Sequence, residues 1–139
     1  MEQGSTVLRV NRVRFGWLIL LLVAILAGCG GDSQGEGAAK AVEGYLQALA
    51  KRDLNRMIDH ACAAWESQAR LEYDSFAAVE LELKDLSCQT TGEDQGYTLV
   101  SCTGSIIANY GDEDLQIDVA EQTFQVIQEG GDWRVCGYH

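Results

Sequence analysis

A chain of 139 residues with a formal net charge of −11 supplies one domain's worth of material and a thin hydrophobic core. From Cys29 onward there are 7 basic and 20 acidic residues, a net of −13, and such a surface repels phosphate backbones, which argues against nucleic acid as a partner. The 5 cysteines and 2 histidines include no C-x-x-C pair and no zinc-ligand spacing, so neither a metal nor another cofactor is expected.

Residues 1–28 read as an export signal. Arg9, Arg12 and Arg14 precede an apolar stretch of 13 residues, Phe15 to Ala27. A membrane-spanning helix needs about 20 apolar residues, whereas the apolar part of a signal peptide needs roughly 7 to 15. Leu26-Ala27-Gly28-Cys29 resembles the lipobox of bacterial lipoproteins. That resemblance implies cleavage between Gly28 and Cys29 and a diacylglyceryl group on the Cys29 thiol, with palmitate as acyl chain. It also implies a mature protein anchored to the lipid bilayer of a bacterial cell membrane through Cys29. Two acyl chains hold stably where one is marginal, and the basic flank stays cytoplasmic, so the rest faces outside the cytoplasm.

Gly30 to Ala38, G-G-D-S-Q-G-E-G-A, has little to bury and reads as a flexible acidic tether. The expected organisation is a signal peptide over 1–28, a lipidated cysteine plus tether over 29–38, and a single domain over 39–139.

The domain opens with apolar residues at helical spacing, Val42, Tyr45, Leu46 and Leu49, which predicts a helix with one buried stripe. Asp53 is placed to cap a second helix carrying Leu54, Met57, Ile58 and Ala61. Trp65, Ala69, Tyr73 and Phe76 mark a third. The period then changes to strict alternation in V-E-L-E-L, Val79 to Leu83, and the parity shift after Lys84-Asp85 predicts a bulge. Turn residues at T-T-G-E-D-Q-G, N-Y-G-D-E-D and E-G-G-D separate a strand from Tyr97 to Tyr110, another from Leu115 to Gln128, and a closing W-R-V-C-G-Y. The fold class is therefore α+β, with amphipathic helices packed on one face of a curved four-stranded antiparallel sheet.

The opening helix A-V-E-G-Y-L-Q-A-L-A-K-R-D-L, the passage S-F-A-A-V-E-L-E-L and the terminal G-G-D-W-R-V-C-G-Y make the chain from about Lys40 to Tyr138 resemble the nuclear transport factor-like superfamily, especially its small bacterial lipoprotein members. The resemblance implies a cone-shaped α+β domain, often hollow between helices and sheet. The aspartate–histidine pairs of catalytic members have no counterpart here.

With Cys29 set aside, Cys62, Cys88, Cys102 and Cys136 form an even set, as a disulfide framework in an oxidising compartment does. A turn centred near residue 95 places Cys88 opposite Cys102, which leaves Cys62 for Cys136. Structural staples are favoured over a redox-active pair, because no basic group or C-x-x-C spacing lowers a thiol pKa.

Candidate functional residues are sparse. Asp59 and His60 are adjacent, but neighbours on a helix point in different directions and do not form a dyad. Asp112, Glu113, Asp114 and Asp118 do not fit a calcium loop and read as turn composition. Tyr45, Trp65, Tyr73, Tyr110 and Trp133 are the candidates to line a pocket, although aromatic residues at helical spacing more often form plain core. No nucleotide-binding or common hydrolase motif is present. The functional expectation is a membrane-anchored, disulfide-stabilised domain that binds a small ligand or an envelope protein without catalysis. The alternatives are an enzyme using the cone-shaped pocket, or a structural envelope-associated module.

Overall fold

The computed structural model describes residues 33–139; the expected signal peptide, Gly28, Cys29 and the first residues of the tether lie outside them. Helix α1 runs Ser33–Ala50, α2 Leu54–Asp59 and α3 Glu66–Ser75. They are followed by β1 (Glu80–Asp94), β2 (Tyr97–Asn109), β3 (Asp114–Asp118), β4 (Thr123–Glu129) and β5 (Asp132–Tyr138). Among the described residues no helix is long and apolar enough to cross a membrane.

Helix α1 is the spine of the molecule. Val42, Tyr45, Leu46 and Leu49 are all buried, as are Ala38, Ala41 and Ala48 beside them. The helix is already formed at Ser33, ahead of the expected domain start, so Ser33 to Ala38 belong to it and not to a tether. The glycines that suggest a tether mark close approaches instead. A Cβ on Gly37 would stand 2.5 Å from the Trp133 ring, and one on Gly35 would stand 3.3 Å from Thr90 Oγ1. Composition alone cannot distinguish a glycine that frees the chain from one that admits a neighbour.

Asp53 caps α2, its carboxylate accepting from the Arg56 amide at 3.1 Å. Ala61 is not on that helix. The sheet edge takes the chain there: the Val135 amide donates to the His60 carbonyl (2.7 Å), the Cys62 amide donates to the Val135 carbonyl (2.8 Å), and Ala61 bridges Val135 in parallel. The Cys62–Cys136 disulfide closes the same junction. A helical layer is thereby bonded, covalently and through backbone, to the last strand.

The sheet order is β1-β2-β4-β5, with β3 also pairing β2. One edge of the long β2 is filled by β1 and the other by β3 and then β4. The expected single strand over Leu115 to Gln128 is thus two strands, and the sheet is 5-stranded. Asp118 breaks it: its carboxylate accepts from the Ala120 amide at 2.9 Å, starting a 3-10 turn over Val119–Glu121 that buries Val119.

The β1–β2 hairpin turns at Gln95-Gly96, both at positive φ, and pairs Asp94 with Tyr97. Continued without interruption, that register would set Cys88 opposite Thr103. An irregularity between Thr90 and Gly92 shifts the ladder by one residue and brings Cys88 opposite Cys102, where the second disulfide forms. The expected bulge after Lys84 is present between Lys84 and Ser87. Asp85 and Gly104 both have positive φ there, and a Cβ on Gly104 would lie 2.5 Å from the Lys84 carbonyl oxygen, so only glycine fits. Bulges bend the strand that carries them, and the curved sheet leaves a space under the helices.

Candidate functional site

Helix α3 presents a carboxylate to that space. Trp65, Ala69, Glu72 and Phe76 recur at intervals of three and four residues, so Glu72 shares the inward face with apolar neighbours. Helix α1 brings Tyr45 from one side and β5 brings Tyr138 from the other. The Tyr45 hydroxyl donates to Glu72 Oε2 at 2.5 Å, and the Tyr138 hydroxyl donates to Glu72 Oε1 at 3.3 Å. Trp65 Nε1 in turn donates to the Tyr45 oxygen at 3.3 Å. The Trp65 ring meets Tyr138 edge-on at 5.8 Å between centroids, and Phe124 packs against Tyr138 at 5.5 Å. A carboxylate, two phenols and an indole form one connected network.

Glu72 and Tyr138 line a cavity of about 350 Å³ whose walls include Leu46, Leu49, Ile106 and Val119. Gln68, Ser75 and Gln122 also border it, so the lining is mixed; the carboxylate is part-buried, and burial raises the Glu72 pKa, while the two phenol hydrogen bonds pull it back only in part. Burial, and then the adjacent carboxylate charge, push the Tyr138 phenol up to about 12 and raise Tyr45 as well. Both phenols are therefore fixed donors at neutral pH. The ion pairs among the described residues join Lys40 to Glu36, Lys84 to Glu82 and Arg134 to Asp132; none reaches Glu72.

Of the aromatic residues expected at a pocket, the structure brings Tyr45 and Trp65 together behind Glu72. Tyr73 turns away: its hydroxyl donates to the Arg52 carbonyl at 3.0 Å, and the Arg52 guanidinium lies 3.9 Å above its ring. Tyr110 is exposed in the β2–β3 turn, 56% accessible. Trp133 lines a separate cleft of about 480 Å³ with Lys40, His60 and Arg134.

His60 sits at the end of α2 against Gly44, part-buried, and burial lowers its pKa. Asp59 is exposed and engages Arg134 through its backbone carbonyl. The acidic turn is self-contained: Asn109 Nδ2 donates to Asp114 at 2.7 Å, and Asn109 Oδ1 accepts from the Gly111 amide. No cluster of three or more His, Cys, Asp or Glu side chains suited to a metal occurs among the described residues. Glu72 itself is not among the candidates that the sequence suggests. Its signal is an acidic residue seven positions after Trp65 and three after Ala69, on the apolar face of a helix.

No protein-family model matches the chain, and no curated protein matches it. Solved structures do share its fold. An NTF2-like protein of unknown function from Pseudomonas putida superposes with a TM-score of 0.51 at 15% identity, covering 78% of this chain and 86% of that one. Aln2 from a Streptomyces species superposes with a TM-score of 0.52 at 9% identity, covering 78% of this chain and 90% of that one. The fold is NTF2-like. At these identities the likeness establishes the architecture alone.

Proposed function

We propose that the chain is a lipid-anchored, extracytoplasmic binding domain that holds a small, largely apolar molecule in the Glu72 pocket without transforming it. The observation that carries this reading is the pocket itself: a cavity of about 350 Å³ lined by Leu46, Leu49, Phe76, Ile106, Ile117 and Val119, with a few polar groups and one hydrogen-bonded cluster at Glu72, the usual build of a small-molecule site. Both oxygens of Glu72 already accept phenol hydrogen bonds, which suits a fixed recognition element better than a base awaiting a proton. The Leu26–Cys29 motif, after three arginines and an apolar segment, supports the anchor. The two disulfides support an oxidising compartment.

One observation favours a second reading. A carboxylate with a raised pKa in an apolar pocket is also how general acid–base catalysts are tuned, and an enzyme using Glu72 would need the same cavity.

Mass spectrometry of protein purified from native membranes tests the proposal in one measurement. It is expected to show a chain beginning at a diacylglyceryl-modified Cys29, together with a stoichiometric small molecule. An unmodified Cys29 with residues 1–28 attached overturns the anchor, and a chemically altered occupant overturns the non-catalytic role.

A further inference from the structure

We infer that the Glu72 pocket selects ligands that carry one cationic nitrogen on a compact apolar body. This rests on the binding-domain reading above and adds the ligand class to it.

The geometry points to a missing cation. Glu72 lines a largely apolar cavity, and no lysine, arginine or histidine among the described residues forms an ion pair with it. A carboxylate offers about four acceptor positions, and Tyr45 and Tyr138 fill two of them. A neutral guest would strip the remaining water from this charge and return at most a hydrogen bond without an opposite charge, and an anionic guest would be repelled by it. An ammonium or similar group supplies both the opposite charge and the donors.

The surroundings suit the same ligand. Phe76 and Tyr138 border the cavity, and aromatic faces attract cations placed over them. Leu46, Leu49, Ile106 and Val119 receive an apolar body. The net charge of −13 from Cys29 onward enriches cations around the domain before they reach the pocket.

The probes are phenethylamine, phenethyl alcohol and phenylacetate, which share one apolar body and differ in charge. Each is titrated into the full mature protein in detergent micelles. Calorimetry reads affinity, and the NMR signal of the Trp65 indole N–H, bonded to Tyr45, reports occupancy of the pocket. The amine is expected to bind at least about tenfold more tightly than the alcohol, the scale of a hydrogen bond to a charged group, with the acid weakest. Glu72→Gln should abolish the preference for the amine.

Equal binding of amine and alcohol overturns the cation inference while leaving the binding domain standing, as does tighter binding of the acid. An unshifted indole signal with all three probes overturns both. The comparison of probes on the unaltered protein stands even if Glu72→Gln fails to fold.

Discussion

The Tyr45 phenol donates a 2.5 Å hydrogen bond to Glu72 Oε2, joining α1 to α3 within the helical layer. The pair is stabilising as a hydrogen bond and costly as a charge, because burial disfavours the ionised carboxylate. The consequence for pH is definite. Glu72 has a raised pKa in the folded state, so between the ordinary carboxyl value and that raised value the folded protein binds more protons than the unfolded one. Stability therefore falls as pH rises through this window.

Glu72→Gln is expected to remove that loss. Its amide oxygen still accepts from Tyr45, and its amide nitrogen can donate to the Tyr138 oxygen. Thermal melts at a series of pH values should show the variant gaining on wild type as pH rises above the ordinary carboxyl value of 4.5 towards neutrality. A constant difference across the series would show that Glu72 does not titrate in a buried setting. Tyr45 and Tyr138 are the titratable groups that bond to it, and both stay protonated over this range.

Gly37→Ala tests the packing of α1 against β5. Alanine in place of glycine stabilises an ordinary helix interior by about 1 kcal/mol. Here the new Cβ would meet the Trp133 ring at 2.5 Å, so the ring or the helix must shift. Overpacking of this kind costs about 1 to 3 kcal/mol, so a net destabilisation is expected in chemical denaturation. Net stabilisation would mean that Trp133 moves without cost.

The two disulfides close loops of very different length, with separations of 74 and 14 residues. The chain-entropy account gives about 4.5 kcal/mol for the longer loop and about 3 kcal/mol for the shorter one. Replacing Cys62 and Cys136 together by serine should therefore lower the melting temperature more than the same replacement of Cys88 and Cys102. The reverse order would indicate that the hairpin staple, next to its register shift, governs stability.

Much of this architecture is legible in the sequence, and the rest is hidden for identifiable reasons. The stripe Val42, Tyr45, Leu46 and Leu49 matches one face of a helix, and the broken alternation at Lys84-Asp85 matches a bulge. Both disulfides follow from where the hairpin turns, although the turn lies slightly later than residue 95 and the Thr90–Gly92 irregularity restores the pairing. The division of the Leu115–Gln128 segment is not legible, because it depends on Asp118 capping a single tight turn. Tyr110 and Trp133 are indistinguishable by residue type from Tyr45 and Trp65; only tertiary packing decides that the latter two join the Glu72 hydrogen-bond network, while Phe76 and Tyr138 are the aromatic residues that line the cavity. Glu72 is hidden by the reasonable default that a helical glutamate faces water.

The small molecule proposed for the Glu72 pocket can be looked for directly. Non-denaturing mass spectrometry of the mature protein beside an Ile117→Phe variant, which places a larger side chain in the cavity wall, tests for it most directly. A discrete added mass is expected on the wild-type chain and is lost from the variant while the circular dichroism of the two remains alike. A wild-type spectrum of the bare lipidated chain, or an added mass retained by the filled variant, would contradict it.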